Sequence, residues 1–520
     1  MKLFATLFLG LAVLPAALAA PAPQNAKTAA QSPQAALNTL LAKEPLRSAI
    51  VSVRAITPDG KVLLQSGSVR KMVPASNTKL ITTGVALKAL GADYRFTTRI
   101  ACDGAIRDSV LAGDLYILGG GDPTTGSPDS LTPTAEKLFA SWKKMLDRAG
   151  IRKIEGRVIG DGRWFEGPIE HPSWEYDDLG TYYGTGMNGL TFYKNTLDLR
   201  VEPGDSVGAP VSMKLMYPEV PWMTLRQAAT TGKPQTANTL YLYTTDLAPA
   251  GEMRGSFPLG RAPKTENASN KYGAYTCAWY FRNYLESNGL PVSGGCADTD
   301  IPGNLRDLMA HPTALRDSSG APLPAACPDS LTVLGATHSA PLSHLLKTIN
   351  FESDNYFAEA ILRAVGKKHG GSAEYEAAIG AERSWLARMG LPTGGALHLE
   401  DGSGLSRHNL VSPEWMTAFL RKMYADPERE TYMATLPHPG QGTLKNRFKK
   451  KDEAFKLRFR MKSGSMYGVL CFSGYLLPSD PERPGAQPVI FSVMVNHCTA
   501  RSSALGSAVE SVLEALSGLN

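Results

Sequence analysis

Apolar positions change their period several times along the chain, and each change marks an element. Gln34 to Ala42 carries a short helical repeat, and Ile50 to Ile56 and Val62 to Leu64 alternate as two strands joined by the turn Pro58-Asp59-Gly60. Leu80, Ile81, Val85, Ala89 and Leu90 then fall close to a helical period, and Pro74 bars that helix from extending backwards. Arg99 to Cys102 and Leu115 to Leu118 read as strands leading into Gly119-Gly120-Gly121-Asp122-Pro123. This glycine triplet lacks the Lys-Ser/Thr that grips phosphate, so it predicts a tight turn. Thr134 to Gly150, preceded by Pro133, is an amphipathic helix, Val158 to Gly160 a short strand, and Trp174 to Tyr183 an aromatic and acidic stretch.

From Thr191 to about Asp300 the pattern is one of short alternating strands such as Thr239-Leu240-Tyr241-Leu242-Tyr243, with a helix over Tyr275 to Asn288. Helical spacing resumes after Leu342 and covers Asn355 to Val365, Ala377 to Met389 and Pro413 to Tyr424. Strands follow near Lys456 to Met461, Gly468 to Leu477 and Val489 to Asn496, and a last helix runs from Ala504 to Leu516. Leu505, Val509, Val512 and Leu516 make that helix amphipathic, but its polar face holds Glu510 and Glu514 and no cation. Packing on a core is therefore expected rather than a membrane-surface anchor.

Composition adds a compartment. Residues 1–19 combine Lys2, an apolar run from Leu3 to Leu14, Pro15 and Ala17-Leu18-Ala19, the pattern of a cleaved export signal, and residues 20–33 form an Ala/Pro/Gln-rich leader. No later stretch offers the roughly 20 apolar residues of a spanning helix. A soluble, periplasmic or otherwise extracytoplasmic protein without a membrane anchor is expected. Loss of Lys2 lowers the net charge from +6 to +5, and the remaining cations are dispersed, which gives no case for nucleic acid. About 500 residues imply two to four domains. The six cysteines lie far apart without a C-x-x-C, the nine histidines are scattered without H-E-x-x-H, and neither a metal nor a cofactor is expected. In an oxidising compartment, Cys277 with Cys296 and Cys471 with Cys498 are the first pairs expected to bridge.

Chemistry enters at three places. Ser76 and Lys79 stand three residues apart at a helix start, on one face of its first turn, where outward backbone amides surround the hydroxyl and the lysine can take its proton. Ser353-Asp354-Asn355 lies just before a helix, and Lys462-Ser463-Gly464-Ser465 ends a strand-like run. Each segment alone reads as an ordinary cap or strand end. In order, within an exported chain, they form the Ser-x-x-Lys, Ser-Asp-Asn, Lys-Ser-Gly set of serine acyl-transfer enzymes.

On these motifs the chain resembles the low-molecular-mass class C penicillin-binding proteins of the D-alanyl-D-alanine carboxypeptidase/endopeptidase type. The likeness extends to Gly113-Asp114-Leu115-Tyr116, Gly120-Gly121-Asp122-Pro123, the Trp174 to Tyr183 stretch and Asp401-Gly402-Ser403-Gly404-Leu405-Ser406-Arg407. The 274 positions separating Lys79 from Ser353 exceed what a compact β-lactamase has room for and suit the two insertions of this family. Ser463 stands where many relatives have threonine. The resemblance implies a multi-domain α/β fold: a transpeptidase-like domain over 20–95 and 330–520 with a central antiparallel sheet flanked by helices, a mostly β insertion over 96–121 and 189–329, and a nested domain over 122–188.

Amide cleavage by serine needs a base, later an acid, and donors for the oxyanion. Lys79 takes the Ser76 proton, Ser353 relays protons, Asn355 holds the substrate amide, and Lys462 attracts the terminal carboxylate with Ser463 and Ser465 seating it. Burial and a second cation at Lys462 are both expected to depress the Lys79 pKa. The backbone N–H groups of Ser76 and Ser465 form the oxyanion hole. The resemblance further implies a pocket for the zwitterionic meso-diaminopimelate side chain of a peptidoglycan stem peptide: Arg407 for its carboxylate, Asp177 for its ammonium, and Trp174, Tyr183, Leu405 and Met466 as apolar walls. It implies β-lactams as covalent inhibitors. A β-lactamase or esterase on the same fold, and a non-catalytic peptidoglycan-binding protein, are the alternative readings.

Overall fold

Strands from the two ends of the chain meet in one sheet. In the computed structural model, which describes residues 32–129, 132–299, 315–316, 322–323 and 331–519, the antiparallel order is Val62–Ser66, Ile50–Ile56, Val489–Asn496, Val469–Leu476, Phe459–Met466. The expected export signal, nearly all of the leader and Cys327 lie outside the described residues. All eight positions of Val469–Leu476 and of Val489–Asn496 are buried, because helices cover both faces of these inner strands. On one face Leu37 of the Pro33–Leu41 helix and Val509, Val512 and Leu516 of the Ser502–Ser517 helix pack against Val53, Phe472 and Val493. The last helix is thus a core helix. Among the described residues none is long and apolar enough to cross a membrane.

The other face carries the larger core, built from helices Thr78–Leu90, Leu342–Glu352, Asn355–His369, Tyr375–Arg388 and Pro413–Tyr424. Thr78–Leu90 sits at its centre, with every residue but Lys88 buried. Its period predicts a helix, yet the positions between the apolar ones are interior too. Thr82 Oγ1 donates to Gly402 O (2.8 Å), Thr83 Oγ1 donates back to Lys79 O (2.6 Å), and a Cβ on Gly84 would come within 2.7 Å of Phe419. Small and self-satisfied residues let this helix be surrounded.

A second core lies in the long intervening segment. There a mixed five-stranded sheet runs in the order Cys296–Asp298, Val158–Asp161, Leu115–Leu118, Thr97–Cys102, Thr332–His338. Helices Ala135–Arg148 and Gly273–Ser287 share its hydrophobic core through Trp142, Leu146, Phe281 and Leu285. Short two- and three-stranded sheets complete this region.

Two local expectations change. The stretch near Lys456 begins as a short helix, Glu453–Leu457, because Asp452 caps it by accepting from Phe455 N (2.8 Å); the strand starts at Phe459 and continues through Met466, so Lys462 to Ser465 lie inside it. The expected disulfides are absent: Cys102, Cys277, Cys296, Cys471 and Cys498 are all free and buried. Cys471 packs in the core on one face of the central sheet and Cys498 in the core on the other, so the sheet separates them. Cys296 lies against the Tyr275 hydroxyl, and Cys277, two helix positions on, points about 200° away.

Candidate active site

Three backbone features bring the motifs together. Ser76 is the middle residue of a one-turn 3₁₀ segment, Ala75–Asn77, that feeds directly into Thr78–Leu90. Ala75 is left-handed at φ 47°, an arrangement that costs a non-glycine residue about 1–2 kcal/mol. Ser353 is also left-handed (φ 60°) and closes Leu342–Glu352, while Asp354 caps Asn355–His369 by accepting from Phe357 N (2.9 Å). The second motif is therefore a helix-to-helix corner. The third lies on Phe459–Met466, the outermost strand of the central sheet, whose free edge borders the Ser76 turn. Contact there is so close that a Cβ on Gly464 would fall 2.6 Å from Pro74 O and 3.0 Å from Ser76 N. Only glycine fits without displacing the serine.

Lys79 Nζ makes three hydrogen bonds, to Ser76 Oγ (3.1 Å), Asn355 Oδ1 (2.6 Å) and Ser403 O (2.6 Å). Asn355 is held in turn by donation from its Nδ2 to Tyr183 O (3.0 Å). Lys462 Nζ donates to Ser353 Oγ (2.9 Å) and Ser463 O (2.7 Å), and Thr443 shares a 2.8 Å hydroxyl contact with Ser463. Both lysines are fully buried. Burial lowers Lys79 from its ordinary 10.5 to about 8, against the opposing pull of Asp401, Glu359 and Asp354. Burial, with the charge of Lys79 beside it, drives Lys462 well below its ordinary value. Burial is the larger influence on both lysines, and the repulsion between their two charges acts alongside it.

A cleft of about 910 Å³ opens over these groups, lined by Ser76, Ser353, Asn355, Ser463 and Ser465 and also by Asp177, Tyr183, Leu405, Arg407 and Met466. Lys79 and Lys462 lie under its floor. Trp174 differs from its expected place as a wall: it is buried below the cleft, and its indole donates to Asp401 Oδ2 (2.9 Å). The direct partner of Arg407 is Glu175 (3.0 Å), not Asp177, and Tyr467 O accepts a second guanidinium bond (3.1 Å). Burial, with Asp177 and Glu175 nearby, pushes Asp178 up to about 6 while Tyr183 hydrogen-bonds to it.

Sequence reasoning missed the groups that brace this site. Asn355, Glu359, Arg363 and Lys367 recur every four residues and so share one face of their helix. Glu359 accepts from Gly402 N (3.1 Å) and Ser403 N (2.8 Å). Arg363 donates to the carbonyls of Ala373, Pro168, Met187 and Glu166, and Lys367 pairs with Glu166. Charged residues on an otherwise apolar helix face were the available signal.

The family model described as the D-Ala-D-Ala carboxypeptidase 3 (S13) family matches residues 33–316 and 317–516. A D-alanyl-D-alanine carboxypeptidase of an Actinomadura species is 29% identical over 453 residues, which span 85% of this chain and 77% of that one. The D-alanyl-D-alanine carboxypeptidase DacB of Haemophilus influenzae is 26% identical over 420 residues, 79% of each. The crystal structure of penicillin binding protein 4 from Haemophilus influenzae has the same fold, with a TM-score of 0.76 at 22% identity, over 92% of this chain and 99% of that one.

Proposed function

The chain belongs to the D-Ala-D-Ala carboxypeptidase 3 (S13) family and is a serine peptidase, and from that premise we propose that it cleaves D-alanyl-D-alanine stem peptides and D-alanyl cross-links of peptidoglycan through an acyl-enzyme on Ser76. The observation that carries this reading is the bonding of Lys79. A neutral amine has two N–H bonds and one lone pair. Asn355 Oδ1 and Ser403 O accept the two N–H bonds, which leaves the lone pair for the Ser76 hydroxyl. Ser76 Oγ attacks the amide carbonyl as its proton passes to Lys79. Ser353, bonded to Lys462, passes a proton to the leaving amine and is resupplied from the lysines with the proton taken from Ser76. Water then attacks the ester, releasing the acid and restoring the Ser76 hydroxyl.

The N–H groups of Ser76 and Ser465 receive the oxyanion, and Lys462, Ser463 and Ser465 seat the terminal carboxylate. Arg407 and Asp177 read the two charges of a meso-diaminopimelate side chain against Tyr183, Leu405 and Met466. In this reading Glu175 holds Arg407 in place until that carboxylate arrives. The division into a discontinuous catalytic domain over 20–95 and 330–520 with two insertions, and an extracytoplasmic location directed by residues 1–19, are parts of the same proposal.

Family membership decides against the non-catalytic reading. A fluorescent penicillin tests the mechanism: covalent label is expected on the wild-type protein and not on Ser76→Ala, and equal label on both would refute it. An adduct that turned over within seconds would favour a β-lactamase.

A further inference from the structure

We propose that Asp401 is a positioning residue that joins the Lys79 base to the side-chain pocket through one buried carboxylate. The inference rests on the reading of Lys79 as the base for Ser76. Asp401 is fully buried, and both its oxygens are taken by N–H donors. Oδ1 accepts from Gly404 N (2.8 Å) and Asn409 Nδ2 (2.8 Å); Oδ2 accepts from Ser406 N (2.7 Å) and Trp174 Nε1 (2.9 Å). Four donors and no acceptor suit only the acceptor-only anion.

The two oxygens face different work. The peptide between Ser403 and Gly404 gives its N–H to Oδ1, and its carbonyl accepts Lys79 Nζ at 2.6 Å. A carboxylate on the N–H polarises that carbonyl and strengthens its hold on the lysine proton. A Cβ on Gly404, whose φ is 82°, would meet Ala75 O at 2.0 Å, so this peptide lies directly against the residue before Ser76. Oδ2 meanwhile fixes Ser406, the neighbour of Arg407, and Trp174, the neighbour of Glu175, which are the two ends of the ion pair at the pocket rim. The base and the pocket thus hang on one side chain.

Other titratable groups face the same interior from four other segments. Glu359 and Asp354 come from the Asn355 helix and its cap, Glu382 and Tyr375 from the next helix, His171 from the intervening segment, and Lys462 from the edge strand. Glu359 supports the loop at Gly402 and Ser403. Among these groups Asp401 alone bonds the peptide that receives Lys79.

The test is a carbon-13 NMR titration of the Lys79 Cε in lysine-labelled full-length protein, wild type against Asp401→Asn. Loss of the negative charge is expected to lower the midpoint by about half a pH unit or more and to raise KM for diaminopimelate-containing stem peptides. An unmoved or raised midpoint overturns the proposal. If Asp401→Asn does not fold, Trp174→Phe removes one donor from the carboxylate and leaves its charge less compensated, so the midpoint rises. A fall or no change there overturns it equally. Penicillin acylation is followed in parallel: a wild-type protein that fails to acylate refutes the acyl-enzyme reading but leaves the comparison of midpoints intact.

Discussion

Deleting the second lysine separates two accounts of how the first becomes a base. Burial carries Lys79 from 10.5 to about 8, which corresponds to about 3 kcal/mol against the ammonium. At pH 7 about 9% of the amine is then neutral, against about 0.03% at its ordinary value, a gain of about 300-fold in competent enzyme. The acylation rate is therefore expected to rise about tenfold per pH unit below 8 and to level off above it. Lys462 is likewise held well below its ordinary value, chiefly by burial. Lys462→Met keeps the buried stem, so the midpoint near 8 is expected to stay, while the plateau rate falls through the loss of the Ser353 partner. Stopped-flow acylation by a reporter penicillin from pH 6 to 9.5 reads both quantities. A midpoint that climbed by a pH unit or more in Lys462→Met would refute the account and restore Lys462 as the cation that tunes Lys79.

Gly464→Ala places a Cβ 2.6 Å from Pro74 O and 3.0 Å from Ser76 N, so acylation is expected to drop by ~10²-fold as the serine is displaced, with penicillin labelling as the assay. Glu359 and Glu382 are each raised by burial from 4.5 to about 8, so the folded protein keeps protons that the unfolded chain releases above about 4.5. Their contribution is fully present below that pH and is lost as pH rises towards 8. Melting temperature should fall across this window, less steeply in Glu382→Gln, and an identical slope in the variant would refute the assignment.

The elements of the catalytic core were legible in the order of residues because they answer to near neighbours. Pro74 and the spacing from Leu80 to Leu90 announce a helix, Asp354 caps the helix that follows it, and Val489 to Asn496 is a short, nearly continuous apolar run of the kind that forms an inner strand. The three motifs were visible for the same reason, since each is a run of three or four consecutive residues. The short helix at Glu453–Leu457 was missed because its start depends on one capping aspartate rather than on period. The cysteine pairs were misjudged because spacing along the chain carries no information about the face of a sheet.

Order alone determined which residue types could perform acyl transfer and on which kinds of element they would stand. Tertiary structure decided what those residues are worth. Lys79 meets Ser403 O across 324 positions, Asn355 meets Tyr183 O across 172, and Lys462 meets Ser353 across 109. Desolvation and Coulomb interaction depend on distance in space and on burial, which closure of these long loops creates. That closure made burial the main influence on both lysines and moved Trp174 from the wall of the pocket to the carboxylate beneath it.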